Sequence, residues 1–156
     1  MRPVYYTIMS LHTADILLVE DNSADVQLMV AALKDAKVDN DLYVVNNGDS
    51  VMDFLNNDDQ LNPKKVRPDL IMLDLNMPNK TGLDVLKELK DHAYFKTIPV
   101  IIMTNSSEET DIAQAYEYHA NTYVTKPINY KKLVEVVEIL EKYWLTAAKL
   151  PPNNAK

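Results

Sequence analysis

The sequence predicts a doubly wound α/β domain: a five-stranded parallel sheet with helices on both faces, a flavodoxin-like three-layer sandwich. Two observations carry this. Short apolar runs, of which Leu70-Ile71-Met72-Leu73 is the clearest, alternate with helical apolar stripes, and strands and helices at that spacing read as βαβ units. The runs are unbroken rather than alternating, as expected of strands covered on both faces. A chain of 156 residues is long enough to bury one such core.

Residues 1–13 read as a flexible N-terminal extension, and Met9 is an alternative start because the periodic pattern begins at Ala14. The extension lacks the apolar core and cleavage site of a signal peptide. The first strand covers 16–19 and ends in Glu20-Asp21-Asn22. Ser23 is the expected N-cap of a helix whose stripe is Val26, Met29, Val30 and Leu33, running to about Ala36. The second strand is 42–45. After Asn46-Asn47-Gly48-Asp49, Val51, Met52, Phe54 and Leu55 mark the second helix. Residues 56–67 are polar and read as an exposed loop, long for an α/β connection.

The third strand, 70–73, runs into Asp74 and closes at Pro78; Thr81-Gly82 leads to a helix carrying Leu83, Val85, Leu86 and Leu89. The fourth strand is 99–103, followed by Thr104-Asn105-Ser106-Ser107 and a helix from about Glu108. The fifth, 121–125, ends in Lys126-Pro127. The last helix runs from about Asn129 to Trp144, and residues 146–156 read as a polar tail.

Composition excludes several classes. The chain has no cysteine, so disulfides, thiolate metal sites and cysteine nucleophiles are out; this fits a cytoplasmic protein. A net charge of −7 argues against a nucleic-acid surface. No apolar run is long enough to span a membrane. The two glycines, Gly48 and Gly82, form no nucleotide-binding loop.

In a parallel sheet the strand ends share one edge, where ligands bind. Here that edge collects Glu20, Asp21, Asp74, Thr104 and Lys126. Taken singly, each is more often a turn or cap residue than a reactive group. Together they place three carboxylates, a hydroxyl and an ammonium at one point. Three adjacent carboxylates cannot all ionise without counter-charge. Lys126 supplies part of it, and a hard divalent cation, Mg²⁺ or Mn²⁺, suits an all-oxygen set. Such a site suits a phosphoryl group arriving on Asp74, since carboxylates form aspartyl-phosphates.

At these residues the chain resembles the receiver domain of two-component response regulators. The matching motifs are Leu18-Val19-Glu20-Asp21-Asn22, Asp74-Leu75-Asn76-Met77-Pro78 followed by Gly82, Met103-Thr104, and Tyr123-Val124-Thr125-Lys126-Pro127, within a domain spanning 14–145. The resemblance implies strand order 2-1-3-4-5. It implies that Asp74 takes a phosphoryl group from a sensor histidine kinase. Mg²⁺ would be held by Asp21, Asp74 and the backbone carbonyl of Asn76, with Glu20 acting through water. Thr104 and Lys126 would bind the phosphoryl group, and Tyr123 would be an aromatic switch that swings inward as Thr104 moves. The Lys126–Pro127 bond is often cis in the family. The sequence departs from the family pattern at Asn105, His119 and Ile128, where a small residue, a glycine and a phenylalanine are usual.

The loop 56–67, Arg67-Pro68-Asp69-Leu70 and Ile98-Pro99-Val100 look similar to stand-alone regulators paired with phytochromes. The residues after Trp144 are too few for an output domain, so output is expected through protein contact. The last helix carries Val134, Val136, Val137, Ile139, Leu140, Tyr143 and Trp144, more than one core-facing stripe needs. A homodimer surface on helix four, strand five and helix five, including Ile128 and Tyr130, is the expectation. Two rivals remain. A phosphorylation-independent interaction module would keep the fold without the chemistry. An aspartate-nucleophile phosphatase would need a second aspartate two residues on, where this chain has Asn76.

Overall fold

The computed structural model describes residues 13–37 and 39–152. The expected extension therefore lies outside the described residues apart from Thr13. The strands are β1 (Ala14–Val19), β2 (Asn40–Val45), β3 (Leu70–Leu73), β4 (Val100–Thr104) and β5 (Thr122–Thr125). The helices are α1 (Ser23–Asp35), α2 (Asp49–Leu55), α3 (Gly82–Asp91), α4 (Glu109–Glu117) and α5 (Tyr130–Glu141). All pairings are parallel, in the order β2-β1-β3-β4-β5.

Side chains alternate across a strand, and the unbroken apolar runs therefore feed two cores. Leu17, Val19, Ile71, Leu73 and Ile102 pack with Phe54 of α2, Leu86 and Leu89 of α3 and Ala115 of α4. Ile16, Leu18, Met72, Ile101 and Met103 pack with Met29 and Leu33 of α1 and Leu133, Val137 and Leu140 of α5. The sheet is thus covered by α1 and α5 on one face and by α2, α3 and α4 on the other.

Several local expectations shift. The N-cap of α1 is Asn22, not Ser23: its Oδ1 accepts from the Asp25 amide at 3.0 Å. Strand β2 starts at Asn40, earlier than hydrophobicity indicates, because its ladder with Ala14 and Asp15 of β1 holds two polar residues in line. The loop 56–67 is organised by Asn62, which is buried. Its Nδ2 donates to the carbonyls of Phe54 (3.0 Å) and Val66 (2.8 Å), and its Oδ1 accepts from the Val66 amide at 2.8 Å.

Helix α5 keeps α-helical bonding only to Glu141, then widens into a π-helical segment, Lys142–Ala147. The broad apolar set on α5 is mostly used in packing. Leu133, Val137 and Leu140 are buried, and Val134, Val136 and Trp144 lean on the same core. Ile139 and Tyr143 stay exposed. Tyr130, at the start of α5, is exposed, and its hydroxyl donates to Asp35 of α1 at 2.5 Å. All peptide bonds among the described residues are trans, Lys126–Pro127 included, against the expectation of cis.

Candidate functional site

Backbone pairing continues past the strand ends and fixes the site residues. The amide of Glu20 donates to the Val45 carbonyl (3.1 Å), that of Asp74 to Val19 (3.1 Å) and that of Lys126 to Thr104 (2.6 Å). Gly82 sets α3 directly against this edge. A Cβ there would meet the Asp74 carbonyl oxygen at 2.2 Å and the Leu75 Cα at 2.6 Å, so only glycine fits without a backbone shift. A capping box holds α3 in place: Thr81 Oγ1 accepts from the Asp84 amide (3.2 Å) and Asp84 Oδ2 from the Thr81 amide (3.1 Å).

The edge brings together the residues expected from the sequence. Glu20 and Asp74 are only 3% and 6% exposed, and Thr104 is fully buried. Glu20, Asp74 and the more exposed Asp21 each offer a carboxylate oxygen within 4.8 Å of the others. Lys126 Nζ donates to Glu20 Oε1 at 2.5 Å, Asp25 Oδ2 at 2.8 Å and Asp74 Oδ2 at 3.3 Å. Burial pushes the Glu20 carboxyl up to about 7, and neighbouring Asp74 adds to this, while Lys126 pulls the other way. Burial disfavours the Lys126 ammonium, but bonds to Asp25 and Glu20 and the charge of Asp74 outweigh it and hold lysine above its ordinary range. One ammonium among this many carboxylates leaves a negative site, and a compact oxygen set of this kind fits a hard divalent cation.

Asn76 follows Asp74 with its amide donating to Asp74 Oδ1 (3.2 Å) and its Nδ2 to Thr104 Oγ1 (3.2 Å). Thr104 accepts there, and its own O–H remains a donor. Tyr123 lies half-buried on β5. Its hydroxyl donates to the Ser106 carbonyl at 2.9 Å, in the loop that follows Thr104. Ser106 in turn donates to Asp111 at 2.5 Å.

Sequence reasoning missed Asp25. It sits in the first turn of α1, and α1 opens at the edge that carries Lys126; a carboxylate one turn past Glu20-Asp21 was the available signal. Beside the charged groups is a cavity of about 470 Å³, lined on its apolar side by Leu28, Met29, Met103 and Leu133 and reaching Asn105 and Ile128. Ile128 is fully exposed at its mouth. His119 takes a left-handed backbone, φ 70°, explaining why glycine is usual there.

A five-stranded sheet in this order, with this edge, defines a response regulator receiver. The family model for the response regulator receiver domain matches residues 16–138, and the chain belongs to that family, part of two-component signalling. Among curated relatives, the response regulator Rcp1 of Synechocystis sp. is 41% identical over 136 residues, 87% of this chain and 92% of Rcp1. The chain also resembles the phosphorylated cyanobacterial phytochrome response regulator RcpA, with TM-score 0.83, 39% identity and coverage of 90% of this chain and 100% of that one. The Mn²⁺-bound form of Rcp1 superposes with TM-score 0.80 and 40% identity, covering 89% and 99%. Among the described residues no helix is long and apolar enough to cross a membrane.

Proposed function

We propose that this receiver accepts a phosphoryl group on Asp74 from the phosphohistidine of a sensor histidine kinase, in a Mg²⁺-dependent reaction, and signals through a phosphorylation-dependent protein surface. The observation that carries the reading is the convergence of Glu20, Asp21, Asp74, Thr104 and Lys126 on one sheet edge. Relatives named for phytochromes support a phytochrome-type kinase as donor. The cytoplasm is the proposed place of action, and 14–145 the receiver domain, with an extension over 1–13 and a tail over 146–156.

In the transfer, the N–P bond of the phosphohistidine breaks and its electron pair returns to the imidazole nitrogen. An Asp74 carboxylate oxygen forms the new O–P bond. Glu20, Asp21, Asp74 and the Asn76 carbonyl would hold Mg²⁺, Glu20 through water. Bound there, Mg²⁺ supplies the positive charge that lets an anionic carboxylate meet an anionic phosphoryl group. Lys126 pairs with one phosphoryl oxygen and the Thr104 hydroxyl donates to another. A pull on Thr104 passes to the following loop, and Tyr123, bonded to Ser106 in that loop, is the switch that responds.

The test is transfer from a phosphorylated kinase core. Wild type takes up label in Mg²⁺ and loses that capacity in EDTA, whereas Asp74→Ala takes up none. Label that persists in Asp74→Ala refutes the reading. The proposed homodimer uses the α4–β5–α5 surface, where Tyr116, Ile139 and Tyr143 are exposed. Sedimentation with beryllofluoride should show dimers, and a strict monomer rules this surface out.

A further inference from the structure

We propose that Asp25 is a positioning residue that competes with the phosphoryl group for Lys126. The inference rests on Asp74 being the phosphoacceptor. A lysine ammonium has three donors, and all three are engaged: Glu20 at 2.5 Å, Asp25 at 2.8 Å and Asp74 at 3.3 Å. The contact to Asp25 is the shorter of the two aspartate contacts, although Asp74 is the more buried partner, with a side chain 7% exposed against 31% for Asp25. The ammonium therefore leans away from the reacting carboxylate.

Two features make this competition rather than shared support. Asp25 stands outside the carboxylate group that can hold a cation, which consists of Glu20, Asp21 and Asp74. A cation that neutralises that group satisfies Glu20 and Asp74 and leaves Asp25 with Lys126 alone as its ion-pair partner among the described residues. Asp25 is also anchored. Its amide is held by the Asn22 cap at 3.0 Å, in the first turn of α1, where the helix N-terminus further favours a carboxylate. A lysine that moves onto a phosphoryl oxygen must loosen a bond to a carboxylate whose backbone is fixed in the first turn of α1. Asp25 thus opposes occupancy of the phosphorylated state and biases the receiver toward its resting form.

The experiment compares wild type, Asp25→Asn, Lys126→Ala and the double variant. Binding of beryllofluoride at saturating Mg²⁺, followed by NMR, should be about 5-fold tighter in Asp25→Asn than in wild type. Thermal unfolding of the metal-free proteins is the second readout. Asp25→Asn should lower Tm in the wild-type background, where it removes an ion pair, and raise it in Lys126→Ala, where it removes an unpaired like charge. Equal or weaker beryllofluoride binding by Asp25→Asn, or the same sign of Tm change in both backgrounds, overturns the proposal. If wild type binds no beryllofluoride and takes no label on Asp74, the phosphoacceptor reading itself has failed, and the Tm sign change then reports only whether the ion pair exists.

Discussion

At the carboxyl edge of the sheet, Lys126 is surrounded by carboxylates: Glu20, Asp25 and Asp74. At the amino edge a second half-buried lysine, Lys90 at the end of α3, faces only neutral oxygens. Its Nζ donates to the carbonyls of Lys96 (3.2 Å) and Ile98 (3.0 Å) and to Asn121 Oδ1 (3.0 Å), and the same Asn121 oxygen accepts from the Val100 amide at 2.8 Å. Burial disfavours both ammonium groups, but their partners make the net shifts opposite. Lys90, without a counter-charge, is pushed down to about 8, while Lys126 is held above the ordinary lysine value by its neighbours. Dipoles suffice to clip α3 to the starts of β4 and β5. The proposed phosphoryl site at the carboxyl edge would instead need a full positive charge, and Lys126 keeps one there.

The largest test of this contrast is removal of each lysine. Lys126→Ala leaves Glu20 and Asp74 facing each other in a buried site, and metal-free stability in urea should fall by about 3 kcal/mol, with Mg²⁺ recovering part of it. Lys90→Met leaves acceptors at Lys96, Ile98 and Asn121 without their donor and should cost about 1–2 kcal/mol, with Mg²⁺ giving no selective recovery. Equal losses with equal metal response would erase the distinction between the edges.

The amino edge also holds Glu141, 3% exposed. Its Oε1 accepts from Asn40 Nδ2 at 3.4 Å, and its Oε2 is buried without a hydrogen-bond partner among the described residues. Burial raises its carboxyl to about 7, and Glu138 adds to the effect. The folded state therefore binds a proton that the unfolded chain has released between the ordinary carboxyl value of 4.5 and about 7. Stability from this group is intact below 4.5 and falls as pH rises through that window. Glu141→Gln should flatten the slope and gain on the order of 1–3 kcal/mol at pH 8. A slope unchanged by the substitution places the titration elsewhere.

The smallest effect concerns the entry to β5. His119 is exposed and left-handed, so His119→Gly relieves a backbone penalty without losing packing. It should raise stability by about 1 kcal/mol, read as a higher urea midpoint. No gain would mean that the imidazole makes a compensating contact.

What was legible follows the physics of each part. Strand β3 is readable to its ends because a strand covered on both faces must be apolar throughout, and Leu70–Leu73 is. The site is readable because a parallel sheet forces Glu20, Asp74, Thr104 and Lys126 onto one edge whatever the loops do. Asp25 escaped because its role depends on where a lysine from the other end of the chain reaches, a distance set by the packing of α1. Asn62 escaped for a similar reason: in a polar loop nothing distinguishes the one asparagine that is buried. The cap at Asn22 rather than Ser23 is a choice between two competent neighbours that only the entry angle of the chain decides.

The π-helical segment has a consequence for spectroscopy. Trp144 is the chain's single tryptophan. Helix α5 starts at the edge that carries Asp74 and runs back for 12 residues, roughly 18 Å, before the wider turn places the indole against the α1–α5 core and edge-on to Tyr143 at 5.3 Å. Intrinsic fluorescence therefore watches the far end of the molecule. Emission should stay flat as metal is added to the monomer and change when α5 peels from the sheet, which makes the indole a built-in gauge of unfolding that does not report on cation binding at the far edge.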